Sequence, residues 1–382
     1  DPGPRRVGDI QIGMLAEDLD LLCSWVRQES PTSSPDSVNA MASLVQQAAP
    51  SKYFAAERIA GRSGFGDMLL LRGGPQNGKL PALLIGHSDT VHPLGVVQDR
   101  FPVRVEDDRL YGPGVYDMKA GLLIGLKAAQ QVLADGSLNR PLIFILSPDE
   151  EVGSPTSQAV IENLAREAAY ALVLEPARED GSCVTCRKGV GRFEISVEGV
   201  ASHAGVRHSA GRNAIAEAAH QILKIEALTD YERGVTTNVG LIAGGTTVNT
   251  VPQECRFSVD FRAPTLESCN ATERAIKMLE PVIPGTKLIK HGGINRPPYE
   301  RNGGNIQLFK KAQGIAARLG LSLQEAPQTG GGSDGNFTAA LGIPTLDGLG
   351  ADGAGAHTLH EYATLSTLDQ RTQLIAELLR SM

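Results

Sequence analysis

Apolar residues recur with helical spacing over residues 15–28 (Leu15, Leu19, Leu21, Leu22, Trp25, Val26), 36–48 and 119–134 (Leu122, Leu123, Leu126, Ala129, Val132). This spacing predicts three helices. Between them lie continuous apolar runs at 82–85, 142–146 and 171–174, each too short for a helix and bounded by Pro or Gly. Such runs predict buried strands of a mostly parallel sheet. A fourth strand is expected at 343–346, before a glycine-rich loop at 348–355. From Gly191 onward the texture changes. Residues 193–198 and 254–262 alternate apolar and polar, 236–243 reads as a further strand, and 210–225 and 265–280 read as helices. Strands paired with two helices predict an α+β sandwich inserted in the larger domain, and a helix at 303–319 returns the chain to it. The expected fold is therefore α/β, a mostly parallel mixed sheet with helices on both faces. The expected division is 1–190 with 300–382, interrupted by a second domain over 191–299.

Composition narrows the function. The chain has 382 residues, enough for two domains, and 41% apolar residues but only 4% aromatic ones, so aliphatic side chains must fill the cores. A net charge of -7 argues against nucleic acid, whose phosphates need a basic stripe. The longest apolar runs fall far short of a membrane span. Five irregularly spaced cysteines do not suggest a disulfide framework, and a reducing, cytoplasmic setting is expected. A periplasmic or secreted setting would follow if a signal had been removed upstream of Asp1. Cys183 and Cys186 form a lone C-x-x-C with no second pair to complete a zinc site.

The acidic residues and histidines carry the chemistry. The first buried strand runs into Gly86-His87-Ser88-Asp89, the second into Asp149-Glu150-Glu151, and the third into Glu175. In an open parallel sheet, ligands bind beyond the carboxyl ends of the strands. Asp117 sits in a loop just before the 119–134 helix, and His357 follows the glycine-rich loop. Each residue alone is ordinary in a turn or cap; together they suit a divalent metal such as zinc. Two histidines and three carboxylates exceed one tetrahedral ion and suit two ions bridged by a carboxylate.

The motifs G-H-S-D-T-V-H at 86–92, G-P-G-V-Y-D-M-K-A-G at 112–121, D-E-E-V-G at 149–153, A-S-H-A-G at 201–205 and A-H-T-L-H-E at 356–361 resemble the co-catalytic zinc peptidase and deacylase family. That family includes carboxypeptidase G, acetylornithine deacetylase, succinyl-diaminopimelate desuccinylase and aminoacylase. The resemblance runs over about 80–382 and implies a zinc-exopeptidase-like catalytic domain with a lid and dimerisation domain. It implies two Zn2+ per chain, replaceable by Co2+ or Mn2+. His87 and Glu175 would hold one ion, Glu151 and His357 the other, and Asp117 would bridge them ahead of a cis peptide. Asp89 would orient His87, Glu150 would be the general base, and His203 would reach the active site of a partner subunit in a homodimer. His360 is a second candidate for the last ligand; Glu361, at the family's spacing after His357, favours His357.

Arg262, Asn249, Arg296, Lys188 and the loop from Thr329 through Gly332 are candidates for gripping a carboxylate. Arginine suits bidentate carboxylate binding, and a glycine-rich turn can offer backbone N–H groups. Asn249, Arg262, Arg296 and this loop resemble carboxypeptidase G's substrate positions, which implies a small-molecule or short-peptide substrate ending in glutamate. The alternatives are a general N-acyl-amino-acid deacylase or dipeptidase and a non-catalytic metal-binding scaffold. A transferase finds no phosphate- or coenzyme-cradling motif here.

Overall fold

The computed structural model describes residues 16–382; Leu15, expected to open the first helix, lies outside them. The chain divides into two compact units. One runs to Thr185 and resumes over Arg301–Pro327 and Ser333–Met382; the other comprises Cys186–Glu300 and Gln328–Gly332. The short segment 328–332 thus groups with the second unit, a partition that the hydrophobic pattern did not suggest.

The first unit is built on a six-stranded sheet. Its order is Ala55–Ile59, Met68–Gly73, Leu142–Ser147, Ala82–His87, Tyr170–Val173, Thr345–Leu346. The last three pairings are parallel and the first two antiparallel, so the fold is the expected mixed, mostly parallel α/β sheet. The strand side chains alternate between two cores. Leu69, Leu71, Leu84, Phe144, Leu146 and Leu172 pack on one side with the helices Ala16–Arg27, Pro35–Ala48, Ala120–Ala134, Gly303–Arg318 and Leu365–Ser381. Leu70, Leu83, Ile85, Ile145 and Val173 pack on the other with Ile161 and Phe337 from the helices Gln158–Arg166 and Gly335–Ala340. The apolar-run argument found the central strands because both of their faces are buried. It missed Met68–Gly73, although its apolar run is buried in the same way, Ala55–Ile59, which is largely exposed, and the helix Leu365–Ser381, whose apolar face is interrupted by the buried Arg371.

The second unit is a four-stranded antiparallel sheet, in order Thr236–Gly244, Glu254–Ala263, Gly189–Glu198, Lys287–Arg296. Phe193, Ile195, Val197, Phe257, Val259 and Phe261 point to one face and form a core with Ala214, Ala218 and Ile225 of one helix and Cys269 and Ile276 of another. Those helices span Ala214–Glu226 and Leu266–Lys277. The first is capped by Asn213, whose side chain accepts from Ala216 N–H; the second has a Thr265–Ser268 capping box. The strand Lys287–Arg296 escaped the sequence reading because glycines at 292 and 293 interrupt its alternation. All five cysteines are free. Among the described residues no helix is long and apolar enough to cross a membrane.

Candidate metal centre

Three adjacent strands deliver polar groups to one edge of the sheet. His87 is the last residue of its strand, buried at 2% exposure. Glu150 and Glu151 form a short 3-10 turn three residues beyond Ser147. Glu175 lies two residues beyond Val173 and is held by Gly350, whose N–H donates to the Glu175 carbonyl at 2.8 Å. A Cβ on Gly350 would stand 2.4 Å from the Leu174 carbonyl oxygen, so only glycine permits this approach. Asp117 sits in a non-helical turn, φ -114° and ψ 91°, with a cis peptide to Met118. His357 occupies the left-handed region at φ 65°, a backbone state that histidine adopts more readily than most side chains.

These groups converge. The Nε2 of His87 lies 3.1 Å from Asp117 Oδ1 and 3.7 Å from Glu175 Oε1. The Nε2 of His357 lies 3.3 Å from Asp117 Oδ2 and 3.3 Å from Glu151 Oε2. Asp117 therefore presents one carboxylate oxygen to each histidine. His357 and His360 are both exposed, but among the described residues it is His357, not His360, that stands against these carboxylates. Glu150 brings a carboxylate oxygen within 4.8 Å of the ligand atoms of both His87 and Glu175. That is close enough to serve the centre as a base, and also close enough to bind a metal.

The donor set fits divalent metal ions. His87 Nδ1 lies 2.8 Å from the Asp89 carbonyl oxygen, which makes Nδ1 the protonated nitrogen. Neutral His87 then turns an Nε2 lone pair toward two carboxylates, an arrangement that calls for a cation among them. Nitrogen and oxygen ligands about 2.0–2.1 Å from a tetrahedral zinc stand about 3.3 Å from each other, which is the scale of the distances observed. Glu151 Oε1 is buried without a hydrogen-bond partner.

The protonation equilibria say the same. Burial works against the charged form of Asp117, but the hydrogen bonds with His357 and His87 outweigh it and hold this carboxyl well below its ordinary range. Burial and then the Asp117 charge push Glu151 up to about 8 and drive Glu175 well up. Hydrogen bonds to Asp117 and Glu151 raise His357 to about 11. His87 is raised despite its burial, through Asp117 and Asp89. Without a cation, protons must do the neutralising.

The supporting residues differ in detail from expectation. The Asp89 carboxylate stands 3.5 Å from His87 Nδ1, farther than its own carbonyl oxygen. It accepts instead from the backbone N–H of Glu150 and Glu151, both at 3.2 Å, and from Thr32 Oγ1 at 2.7 Å. Asp89 thus holds the turn that carries the two glutamates, and its carbonyl orients His87. Thr32 lies where the sequence offered no motif. Asp149 is fully buried and saturated by Thr156 N–H and Oγ1 and by Ser157 Oγ. Asp334 receives Ser147 and Ser154 on either side of the same turn.

The remaining candidates lie in the second unit. His203 is exposed; its Nδ1 accepts from Gly205 and Val206 N–H at 3.1 and 3.2 Å. Its Nε2 therefore carries the proton and is a donor. Arg262 gives Nε and Nη2 to the Asp260 carboxylate at 2.7 and 2.8 Å and Nη1 to the Gly330 carbonyl at 3.2 Å. The expected anion anchor thus already holds an anion. Arg296 is buried beneath Gly332, where a Cβ would stand 2.8 Å from Arg296 Cδ. Lys188 N–H donates to the Thr329 carbonyl, and Asn249 is exposed with its carbonyl accepting from Ala204 N–H.

Imidazole and carboxylate groups that could hold divalent metal, gathered at the carboxyl edge of a parallel sheet, are a metallohydrolase type of arrangement. Residues 83–381 match peptidase family M20/M25/M40, and the chain belongs to that family. It is 30% identical over 308 residues to carboxypeptidase G2 of Pseudomonas sp. (strain RS-16), covering 78% of this chain and 73% of that protein. It is 28% identical over 322 residues to acetylornithine deacetylase of Myxococcus xanthus, covering 79% of this chain and 80% of that protein. Its fold is similar to that of the M20 family metallo-carboxypeptidase Sso-CP2 of Sulfolobus solfataricus, with TM-score 0.73, 18% identity, and coverage of 96% and 99%.

Proposed function

We propose that this chain is a two-zinc amidohydrolase that cuts an N-acyl or peptide bond and releases a C-terminal amino acid, with glutamate preferred. The observation that carries the reading is the shared Asp117, with one oxygen toward His87 and the other toward His357. His87, Asp117 and Glu175 would hold one ion and His357, Asp117 and Glu151 the other. Bound zinc lowers the pKa of water toward neutrality and polarises a scissile carbonyl. Glu150 takes the proton from the attacking water and returns it to the leaving nitrogen, so the proton balance closes within one turnover. The Asp89 carboxylate, by holding the N–H groups of both glutamates, keeps Glu150 beside the ligand Glu151. His203, with Nε2–H free to donate, would stabilise the oxyanion of a partner subunit's site in a homodimer. The exposed Leu241 and Ile242 on the edge strand of the second unit support a self-pairing surface.

Similarity to carboxypeptidase G2 supports the glutamate preference. The Asp260–Arg262 pair favours a second reading, a deacylase indifferent to the C-terminal side chain, because that arginine's charge is already balanced. A hydrolysis panel with zinc-loaded protein decides between them: one acyl group on Glu, Asp, Ala, Lys and Arg, then varied acyl groups on the best amino acid. Faster turnover of Glu over Ala supports the first reading; equal rates support the second. No hydrolysis of any member removes both.

A further inference from the structure

The geometry points to Glu361 as the positioning residue for Asp117, an inference that rests on Asp117 being the bridging ligand. Glu361 is 1% exposed, and its carboxylate meets backbone amides and His92 rather than the candidate ligand side chains. Its Oε1 accepts from the backbone N–H of Tyr116 and of Asp117, both at 2.9 Å. Its Oε2 accepts from Gly114 N–H at 3.2 Å and meets His92 Nε2 at 2.8 Å. The turn needs this. These amides open a turn that follows the strand Arg109–Tyr111, with Gly114 left-handed at φ 68°, so no preceding helical turn supplies their carbonyl partners, and buried N–H groups must find acceptors elsewhere. One carboxylate serves three of them.

The same residue fixes the opposite ligand loop. Glu361 follows His357 by four residues. The intervening turn is closed by Thr358, whose N–H and Oγ1 both donate to the Gly355 carbonyl. Beyond it, Tyr362 pairs with Tyr111 in a small antiparallel sheet, and Gly112 N–H reaches the Glu361 carbonyl at 3.4 Å. His92, 5% exposed and three residues past Asp89, backs the carboxylate from the segment that carries His87. Glu361 thus ties together the loops bearing Asp117, His357 and His87, so that both oxygens of Asp117 keep their aim. His92 and Glu361 both lie within the motifs that mark the family, in places that metal binding and proton transfer leave without a task.

The test compares Glu361→Ala and Glu361→Gln with wild type in two measurements. One is amide hydrogen exchange of residues 114–117 in metal-free protein; the other is zinc affinity by chelator competition. Ala removes all four contacts. Exchange at Tyr116 and Asp117 should speed up about tenfold or more, the scale of losing hydrogen bonds to a charged acceptor. Zinc affinity should fall about 10–100-fold, as for other residues that orient ligands. Gln keeps an oxygen for Tyr116 and Asp117 but turns an NH2 toward Gly114 N–H. Only Gly114 should exchange faster, with zinc affinity recovered to within about threefold. An Ala variant with unchanged exchange and zinc affinity overturns the assignment, as does a Gln variant that loses as much zinc affinity as Ala. If Ala does not fold, Gln decides alone: selective exchange at Gly114 supports the role, and uniform loss across the strand Ala82–His87 overturns it. Wild type that binds no zinc would remove the metal reading, while exchange in the metal-free protein would still decide what Glu361 does.

Discussion

Asp149 in the first unit and Asp260 in the second are both partnered carboxylates, but their settings differ. Asp149 is fully buried and held by hydroxyl and amide donors from Thr156 and Ser157. Asp260 is about a third exposed and holds Arg262, itself 27% exposed. The contrast extends to most of the candidate residues, with His357 of the first unit exposed and Arg296 of the second buried as exceptions. His87, Asp89 and Glu175 are sealed, whereas His203, Asn249 and Gly330 lie open to solvent. Buried polar groups must be matched, so their geometry is dictated by the fold. Exposed ones can be matched by water, which leaves them free to change partners with a substrate. The first unit is therefore expected to fix the chemistry and the second to adjust what is admitted.

The largest effect that could break this division lies at Glu150. Glu150→Gln should lower kcat about 10²–10⁴-fold, the scale of losing a general base, while metal analysis finds the wild-type content. A variant that loses metal and regains full activity on reloading would make Glu150 a ligand, which its proximity to His87 and Glu175 allows.

Next comes His203, the one second-unit residue assigned to the chemistry. His203→Ala should cut kcat about 10²–10³-fold at unchanged metal content, as for an oxyanion donor. Mixing it with Glu150→Gln under subunit exchange should restore part of the activity, since one site of a mixed dimer would be complete. Exchange without recovery would confine His203 to its own chain.

A smaller effect is read in pH. In the metal-free protein Glu151 is raised from 4.5 to about 8 and His357 from 6.5 to about 11. Raised pKa values mean that the folded state holds protons that the unfolded chain releases. Their stabilisation is complete below the ordinary values and is lost as pH rises through about 8 for Glu151 and about 11 for His357. Zinc needs the deprotonated ligands, so its binding releases those protons. Zinc affinity should rise about tenfold per pH unit for each proton released between about pH 6 and 8, and the Tm gap between loaded and metal-free protein should widen. A flat affinity over that range would mean that these groups do not receive the metal.

What could be read from the sequence follows the same line. The central strands and the residues at their carboxyl ends were legible because a strand buried on both faces leaves a continuous apolar run, and the first polar residue after it marks the edge. Thr32 was not legible: it reaches Asp89 across 57 positions, and a threonine near a turn carries no periodic signal. Arg262 was legible as a charge at a strand end but not as a paired one. Asp260 lies two positions away on the same strand face, a spacing that alternation makes ordinary.

The smallest effect probes that pair. Arg262 offers both its Nε and Nη2 to Asp260, so a substrate carboxylate would have to displace or share that partner. Such a partly exposed pair contributes about 0.2–1 kcal/mol. Asp260→Asn removes the competing charge and keeps the shape. If Arg262 anchors a glutamate side chain or terminus, KM for a Glu-ended substrate should fall about two- to fivefold in Asp260→Asn, with kcat unchanged. Substrates ending in Ala separate the two anchors: a matching fall means that Arg262 meets the terminal carboxylate common to both, and no fall means that it meets the glutamate side chain. If neither KM moves, Arg262 serves only to hold the Gly330 carbonyl. The second unit would then be as fixed at this point as the first, and selectivity would have to come from Arg296 and the Thr329–Gly332 loop.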